Sequence, residues 1–196
     1  MKVFLLRHAD DPHEIIGGWS DIGLTGLGKK QAAEIANYFT THENEMGIKH
    51  IISSDLKRAQ DSVLPTSQAL KLEMITNEGW RGLDWGELNG CSSETAKKLY
   101  PYLNLQMMQE DESFPKGESP KGFYQRAVDT WQKTLKQYDG ENLLICTHGI
   151  NMMALEAYLT GKKWQYNVQR TFYPCVLMEI DLQKHIIQAR MLYPYP

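Results

Sequence analysis

The stretch FLLRHADD, residues 4–11, ends an apolar run abruptly in an arginine and a histidine. A short apolar run bounded by polar residues is typical of a buried strand, so residues 2–6 are predicted to be interior. Arg7 and His8 then emerge at the carboxyl end of that strand. Open α/β sheets bind their ligands at this edge, which makes these two side chains the first candidates for a binding site.

Composition and charge limit the classes of function open to the 196-residue chain. With 42% hydrophobic residues it can bury a full core, and we predict a single domain over residues 1–196. The formal net charge is −3 and the Lys and Arg residues are scattered, which argues against nucleic acid as a partner. The start of the chain is too short for a signal peptide, and no uncharged apolar run approaches the roughly 20 residues of a membrane span. We therefore expect a cytoplasmic protein that does not bind membranes.

Three cysteines are present, without paired spacing or clustered histidine partners. Neither a disulfide framework nor a zinc site is indicated, and we expect no metal at the functional site. Cys146 and Cys175 lie in apolar runs, so both are expected to be inert core thiols.

Strand-like runs alternate with segments of helical period, a pattern typical of an α/β domain with a largely parallel sheet. The runs are residues 3–6, 50–53, 142–146 and 175–180. We predict a three-layer sandwich with a mostly parallel central sheet, helices on both faces and a small inserted lid.

Helix starts are marked by capping residues. Thr25 is a plausible cap for the helix that follows it, Ser54 or Asp55 for the next, and Ser119 for a third with Pro120 in its first turn. Arg58 is therefore predicted to lie in the first turn of a helix that begins at a strand's carboxyl end.

Between residues 77 and 120 the periodicity fades, and the segment is rich in Gly, Trp, Met and Pro. We interpret residues 77–120 as an irregular insertion or lid rather than a separate domain. The helix after Ser119 is expected to stop at Gly140.

A second histidine repeats the arrangement of the first. The apolar run 142–146 ends in Thr147-His148-Gly149 and turns at once into a helix. If the strands that precede His8 and His148 are parallel neighbours, about 5 Å apart, their side chains converge on one pocket. Arg7 and Arg58 add two permanent positive forks that suit a phosphoryl group. Such a pocket suits a phosphate monoester, with one imidazole free to attack phosphorus.

These residues resemble the motifs of the histidine phosphatase superfamily, which includes the cofactor-dependent phosphoglycerate mutases. LLRHAD is similar to its Arg-His-Gly signature, with Ala9 in the Gly place, and LTGLGKKQA, SSDLKRAQDS, GES and THGI follow in the family's order. The resemblance covers nearly the whole chain. It implies that His8 is the nucleophile of a phosphohistidine intermediate and that Arg7, Arg58 and His148 bind the phosphoryl oxygens, without a metal or cofactor.

The sequence departs from the family where the general acid is expected. In WRGLDWGELNG the family's Glu position holds Gly82, which has no proton to give. Glu78, Asp84 and Glu87 lie close in sequence, and Asp84 is the first candidate because its apolar neighbours could raise its pKa. Glu14 stands where many members carry an Asn, which argues against a mutase.

The leading hypothesis is a metal-independent phosphatase that acts on a small phosphorylated molecule. The alternatives are phosphoglycerate mutase-like phosphotransfer, a phosphohistidine protein phosphatase, and a non-catalytic sensor of a phosphorylated ligand. Release of phosphate from p-nitrophenyl phosphate without added metal distinguishes the enzymes from the sensor. The sequence does not indicate an oligomeric state.

Overall fold

The central sheet has six strands in a computed structural model that describes residues 1–101, 109–164 and 172–193. Their order across the sheet is β3-β2-β4-β1-β5-β6. Strands β1 to β4 are parallel, β5 pairs antiparallel with β1, and β6 pairs antiparallel with β5. The predicted mostly parallel sheet is confirmed. In chain order the strands are Lys2–Arg7, Ile48–Ser53, Met74–Thr76, Asn142–Thr147, Val176–Asp181 and Ile186–Met191.

Helices cover both faces of the sheet, which confirms the three-layer prediction. Alternate side chains of each strand point to opposite faces. On one face Phe4 packs against Ile35 of α1 and Val63 of α3; on the other, Leu5 belongs to the core with Trp131 of α5. In chain order the α-helices are α1 Gly26–Thr41, α2 Glu43–Met46, α3 Lys57–Leu70, α4 Ser93–Leu99, α5 Pro120–Gln137 and α6 Gly149–Thr160. Within the described residues no helix is long and apolar enough to span a bilayer.

Two of the predicted helix caps are confirmed. Thr25 accepts a hydrogen bond from the Gly28 backbone N–H, and Ser119 accepts one from Gly122. The helix after Ser119 ends at Gln137 rather than at Gly140, which lies in the turn beyond it with φ of 80°.

The cap predicted for α3 was wrong. Leu56 occupies the N-cap position and makes no side-chain cap bond. The Ser54 hydroxyl accepts from the Leu56 backbone N–H at 3.3 Å and contacts His148, and the Asp55 carboxylate accepts two hydrogen bonds from Arg81. Arg58 nevertheless lies in the first turn of α3, as predicted.

The segment between Asn77 and Pro120 contains more regular structure than its sequence suggests. Two short 3₁₀ turns, Glu78–Trp80 and Gly86–Leu88, precede α4, and residues 102–108 of the segment lie outside the described part of the chain. Trp80 is fully buried against the sheet, so the beginning of this segment belongs to the core.

Candidate active site

The two strand-end histidines lie side by side. Strands β1 and β4 are parallel neighbours with Arg7 opposite Thr147, and the backbone N–H of His8 donates to the carbonyl of Thr147 at 3.0 Å. The register thus places His8 and His148 at the same sheet edge. Their ring centroids are 5.1 Å apart, and both residues are buried.

A backbone contact sets the tautomer of His8. Its Nδ1 lies 2.8 Å from the carbonyl oxygen of Ala9. A carbonyl can only accept, so Nδ1 carries the hydrogen and the neutral ring keeps a lone pair on Nε2. Burial lowers the pKa of His8 well below 6.5, and the charges of Arg7 and Arg58 lower it further. The result is an uncharged imidazole with a nucleophilic nitrogen at neutral pH.

Arg58 is buried and held by backbone carbonyls. Its Nη2 donates to the carbonyl of Gly18 at 2.7 Å and its Nη1 to that of Ser20 at 3.4 Å. Its Nε lies 3.5 Å from Asp11 Oδ2. Burial lowers the pKa of Arg58, but an arginine keeps its charge under any ordinary condition. The site therefore contains a fixed positive fork.

His148 is also neutral and has a partner at each ring nitrogen. Nδ1 lies 3.4 Å from Arg58 Nη2, and Nε2 lies 3.0 Å from the Ser54 hydroxyl. Guanidinium groups only donate, so Nδ1 accepts and Nε2–H donates to Ser54. Burial lowers the pKa of His148 well below 6.5, followed by the charge of Arg58.

Arg7 adds a second positive charge to the site. Its Nη1 donates to the carbonyl of Phe172. Gly149 packs against both residues: a Cβ there would lie 3.2 Å from the Phe172 oxygen and 3.4 Å from Arg7 Cδ. The glycine after His148 thus lets α6 start close to the Arg7 side chain.

All four predicted core residues, Arg7, His8, Arg58 and His148, line one cavity of about 350 Å³. The aromatic residues in its wall include Trp85 and Phe172. The remaining lining residues are Asp11, Pro12, His13, Ile15, Gly17, Gly18, Gly82, Leu83, Gly149, Ile150 and Met153. In the ranges 1–101, 109–164 and 172–193, no group of three or more His, Cys, Asp or Glu residues is placed to hold a metal ion.

Gly82 lines this cavity, as its alignment with the family's acid position suggests. A Cβ at residue 82 would lie 3.3 Å from Cγ of the His148 ring. The Gly82 carbonyl accepts hydrogen bonds from Trp19 Nε1 and Arg126 Nη2, both at 2.9 Å. Residue 82 is therefore held against the His148 ring, but it has no acidic side chain.

The structure does not bring the candidate acid Asp84 to the cavity. Its Oδ1 accepts from the Gly86 N–H at 2.9 Å and from Asn89 Nδ2 at 2.6 Å, which ties together its own loop. Glu78 and Glu87 are exposed and outside the cavity lining. The proposal of Asp84 as general acid is corrected accordingly: apolar neighbours in the sequence do not determine where a loop side chain points.

Two residues of the site were not identified from the sequence. Asp11 lies in the loop after β1 and lines the cavity, and Ser54 binds the His148 ring from the end of β2. One feature of the sequence could have identified Asp11: it lies three residues after His8, just beyond the carboxyl end of the strand at which the site was predicted. Glu14, in the same loop, is exposed and does not line the cavity.

Known proteins resemble this chain over most of its length. Among curated proteins, a probable phosphoglycerate mutase GpmB of Escherichia fergusonii is 26% identical over 189 residues, covering 94% of this chain and 86% of its own. Phosphoserine phosphatase 1 of Hydrogenobacter thermophilus is 27% identical over 188 residues, covering 91% and 87%.

Solved structures share the fold at lower identity. Bacillus stearothermophilus YhfR superposes with a TM-score of 0.82 at 18% identity, covering 97% of this chain and 95% of its own. The alpha-ribazole phosphatase of Shigella flexneri superposes with a TM-score of 0.79, also at 18% identity and with the same coverage. A family model, that of the histidine phosphatase superfamily (branch 1), matches residues 3–192. The chain therefore belongs to the histidine phosphatase superfamily.

Proposed function

We propose that this protein is a metal-independent phosphatase that hydrolyses phosphate monoesters of a small molecule through a phosphohistidine at His8. The observation that carries the proposal is the uncharged His8 ring, whose Nδ1–H is held by the Ala9 carbonyl while Nε2 keeps its lone pair. A buried neutral imidazole between two arginines is prepared to attack an anion that those arginines bind.

The reaction divides into two displacements at phosphorus. In the first, the lone pair of His8 Nε2 forms an N–P bond while the P–O bond to the leaving group breaks. The Ala9 carbonyl, 2.8 Å from Nδ1, stabilises the positive charge that the ring gains. In the second, the oxygen of a water molecule attacks phosphorus, the N–P electron pair returns to Nε2, and inorganic phosphate leaves; the proton that the water gives up balances the one that the leaving oxygen takes up.

The charge needed for this chemistry is already in the chain. Arg7 and Arg58 can each direct a guanidinium fork at phosphoryl oxygens, and His148 lies within 3.4 Å of Arg58. Donors fixed where charge develops typically contribute about 10²–10³-fold each to the rate. These side chains can neutralise the charge of the phosphoryl group, which metal-dependent phosphatases neutralise with a metal ion.

Phosphotransfer of the mutase type is the second candidate, because one set of relatives carries the name probable phosphoglycerate mutase. A mutase must keep its phosphoenzyme from water and return the phosphoryl group to a product. The exposed Glu14 and the acid-less Gly82 favour hydrolysis instead. Incubation with phosphoglycerates separates the two, since a mutase interconverts the isomers without releasing phosphate.

The decisive experiment measures phosphate release from p-nitrophenyl phosphate in the presence of a chelator, for the wild type and His8→Ala. We expect turnover in the wild type only, with a phosphoenzyme that is stable in alkali, labile in mild acid, and located on His8. A panel of phosphorylated metabolites and a phosphohistidine protein then identifies the substrate class. Binding of phosphorylated ligands without any His8-dependent turnover would instead indicate a sensor.

A further inference from the structure

A phosphatase of alkyl phosphates needs a proton donor for the departing alkoxide. The position that carries this donor in the family holds a glycine here. Gly82 carries no acid, and Asp84 is bonded within its own loop. Among the described residues that line the cavity, Asp11 is the one carboxylate. Its side chain is only 17% exposed, so it faces the cavity rather than bulk solvent.

The position of Asp11 is set by the arginine that faces the phosphoryl group. Asp11 Oδ2 lies 3.5 Å from Arg58 Nε, which leaves the Nη atoms of Arg58 to Gly18, Ser20 and the cavity. Gly17 lies against both side chains, since a Cβ there would be in van der Waals contact with Asp11 Oδ2 at 3.5 Å and with Arg58 Cζ at 3.4 Å. The carboxyl group therefore lies directly beside the binding site for the reacting group.

Two effects oppose each other on the acidity of Asp11. Burial raises the pKa of this carboxyl and is the largest influence, whereas the charges of Arg58 and Arg7 lower it; the net direction is upward. A bound phosphoryl group would add negative charge next to the same arginines and raise the pKa further. The substrate complex thus favours the protonated form that a general acid requires.

We infer that Asp11 is the general acid–base residue of this enzyme, taking over the task that the family assigns to the position of Gly82; the inference rests on the proposed function. In the first displacement, the Asp11 carboxylic acid gives its proton to the leaving oxygen as the P–O bond breaks. In the second, the Asp11 carboxylate takes a proton from the attacking water. Each turnover returns Asp11 to its protonated form, and no other reactant is consumed.

The test compares the wild type, Asp11→Asn and the matched control Glu14→Gln on substrates of graded leaving-group pKa, from p-nitrophenyl phosphate to alkyl phosphates. Glu14 is an exposed carboxylate of the same loop and does not line the cavity. We expect Asp11→Asn to lower kcat/KM for alkyl phosphates by about 10²–10⁴-fold and for p-nitrophenyl phosphate by less than about 10-fold. Glu14→Gln should match the wild type on every substrate.

Two further measurements separate proton transfer from a positioning role. If Asp11 is the acid, kcat for an alkyl phosphate falls at high pH in the wild type, and that limb disappears in Asp11→Asn while vanadate affinity is kept. Equal losses on all substrates together with weaker vanadate binding would mean that Asp11 only orients Arg58, and would overturn the inference. Unchanged kinetics would overturn it as well. In both cases the proposed function stands, whereas a wild type without His8-dependent turnover overturns both.

Discussion

The ring centroids of His8 and His148 are 5.1 Å apart, although the two residues are 140 positions apart in the sequence. The parallel pairing of β1 with β4 produces this proximity, with Arg7 opposite Thr147. Both rings are buried and uncharged; each ring nitrogen of His148 has a protein partner, whereas Nε2 of His8 keeps a lone pair. Under the proposed function their tasks therefore differ: His8 would attack phosphorus, and His148 would bind the phosphoryl group.

Replacing His148 should slow the reaction without removing the nucleophile. We expect His148→Ala to lower kcat by about 10²–10³-fold, the typical cost of one charge-stabilising donor. The phosphoenzyme on His8 should still form, more slowly, and rapid-quench labelling measures its rate. A variant with normal kinetics would show that His148 does not contact the phosphoryl group.

The sequence predicted the sheet edge, and with it four of the site residues, because strand-end placement is a local property. Arg7, His8 and His148 each lie within two residues of the end of an apolar run, so the parallel sheet that such runs imply brings them together. The prediction for Arg58 needed one more inference, namely that a helix starts just after a strand.

What the sequence could not predict depends on loop geometry and on distant partners. Ser54 contacts His148 at a separation of 94 positions, and it lies two residues before Leu56, the N-cap of α3. Asp84 has apolar neighbours but points to Asn89, whereas Asp11 lies in a polar stretch and lines the cavity. Local hydrophobicity does not fix the direction of a loop side chain.

The two buried histidines should make the fold sensitive to mild acid. Burial holds the pKa of His8 and of His148 well below 6.5 in the folded protein, and unfolding restores the ordinary value. Below about pH 6.5 the unfolded chain therefore binds more protons, and the free energy of unfolding falls with falling pH. The slope contributed by each ring approaches about 1.4 kcal/mol per pH unit.

Denaturant titrations at pH 7, 6 and 5 measure this slope. His8→Gln should lose the part of the slope that one ring contributes. An identical slope in the wild type and His8→Gln would show that His8 is not kept neutral by the fold.

We expect phosphoryl binding to depend on the forked geometry of the Arg58 guanidinium and not only on its positive charge. A lysine at residue 58 cannot donate to the Gly18 carbonyl and to a phosphoryl oxygen with fixed geometry. Hydrogen bonds to charged groups contribute about 1.5–3 kcal/mol, so Arg58→Lys should lower kcat/KM by about 10–150-fold, and Arg58→Ala by more. The neighbouring Lys57 is exposed and pairs with Asp61, so Lys57→Ala serves as the control with unchanged kinetics. Full activity of Arg58→Lys would mean that the guanidinium geometry is unimportant.

Binding of phosphate should protonate His148. Nδ1 of this ring accepts from Arg58 at 3.4 Å while Nε2–H donates to Ser54, so the neutral ring has no second hydrogen to offer. A phosphate dianion held by Arg58 brings negative charge next to Nδ1, which favours the imidazolium and converts Nδ1 into a donor.

Calorimetry of phosphate binding at pH 7, in buffers with different ionisation enthalpies, measures the proton uptake. We expect up to about one proton more for the wild type than for His148→Asn. Any change in the ionisation of phosphate itself is common to both proteins, so the difference reports the ring. Equal uptake would show that His148 stays neutral with phosphate bound, in which case the charge on the phosphoryl oxygens would have to be balanced by the two arginines alone.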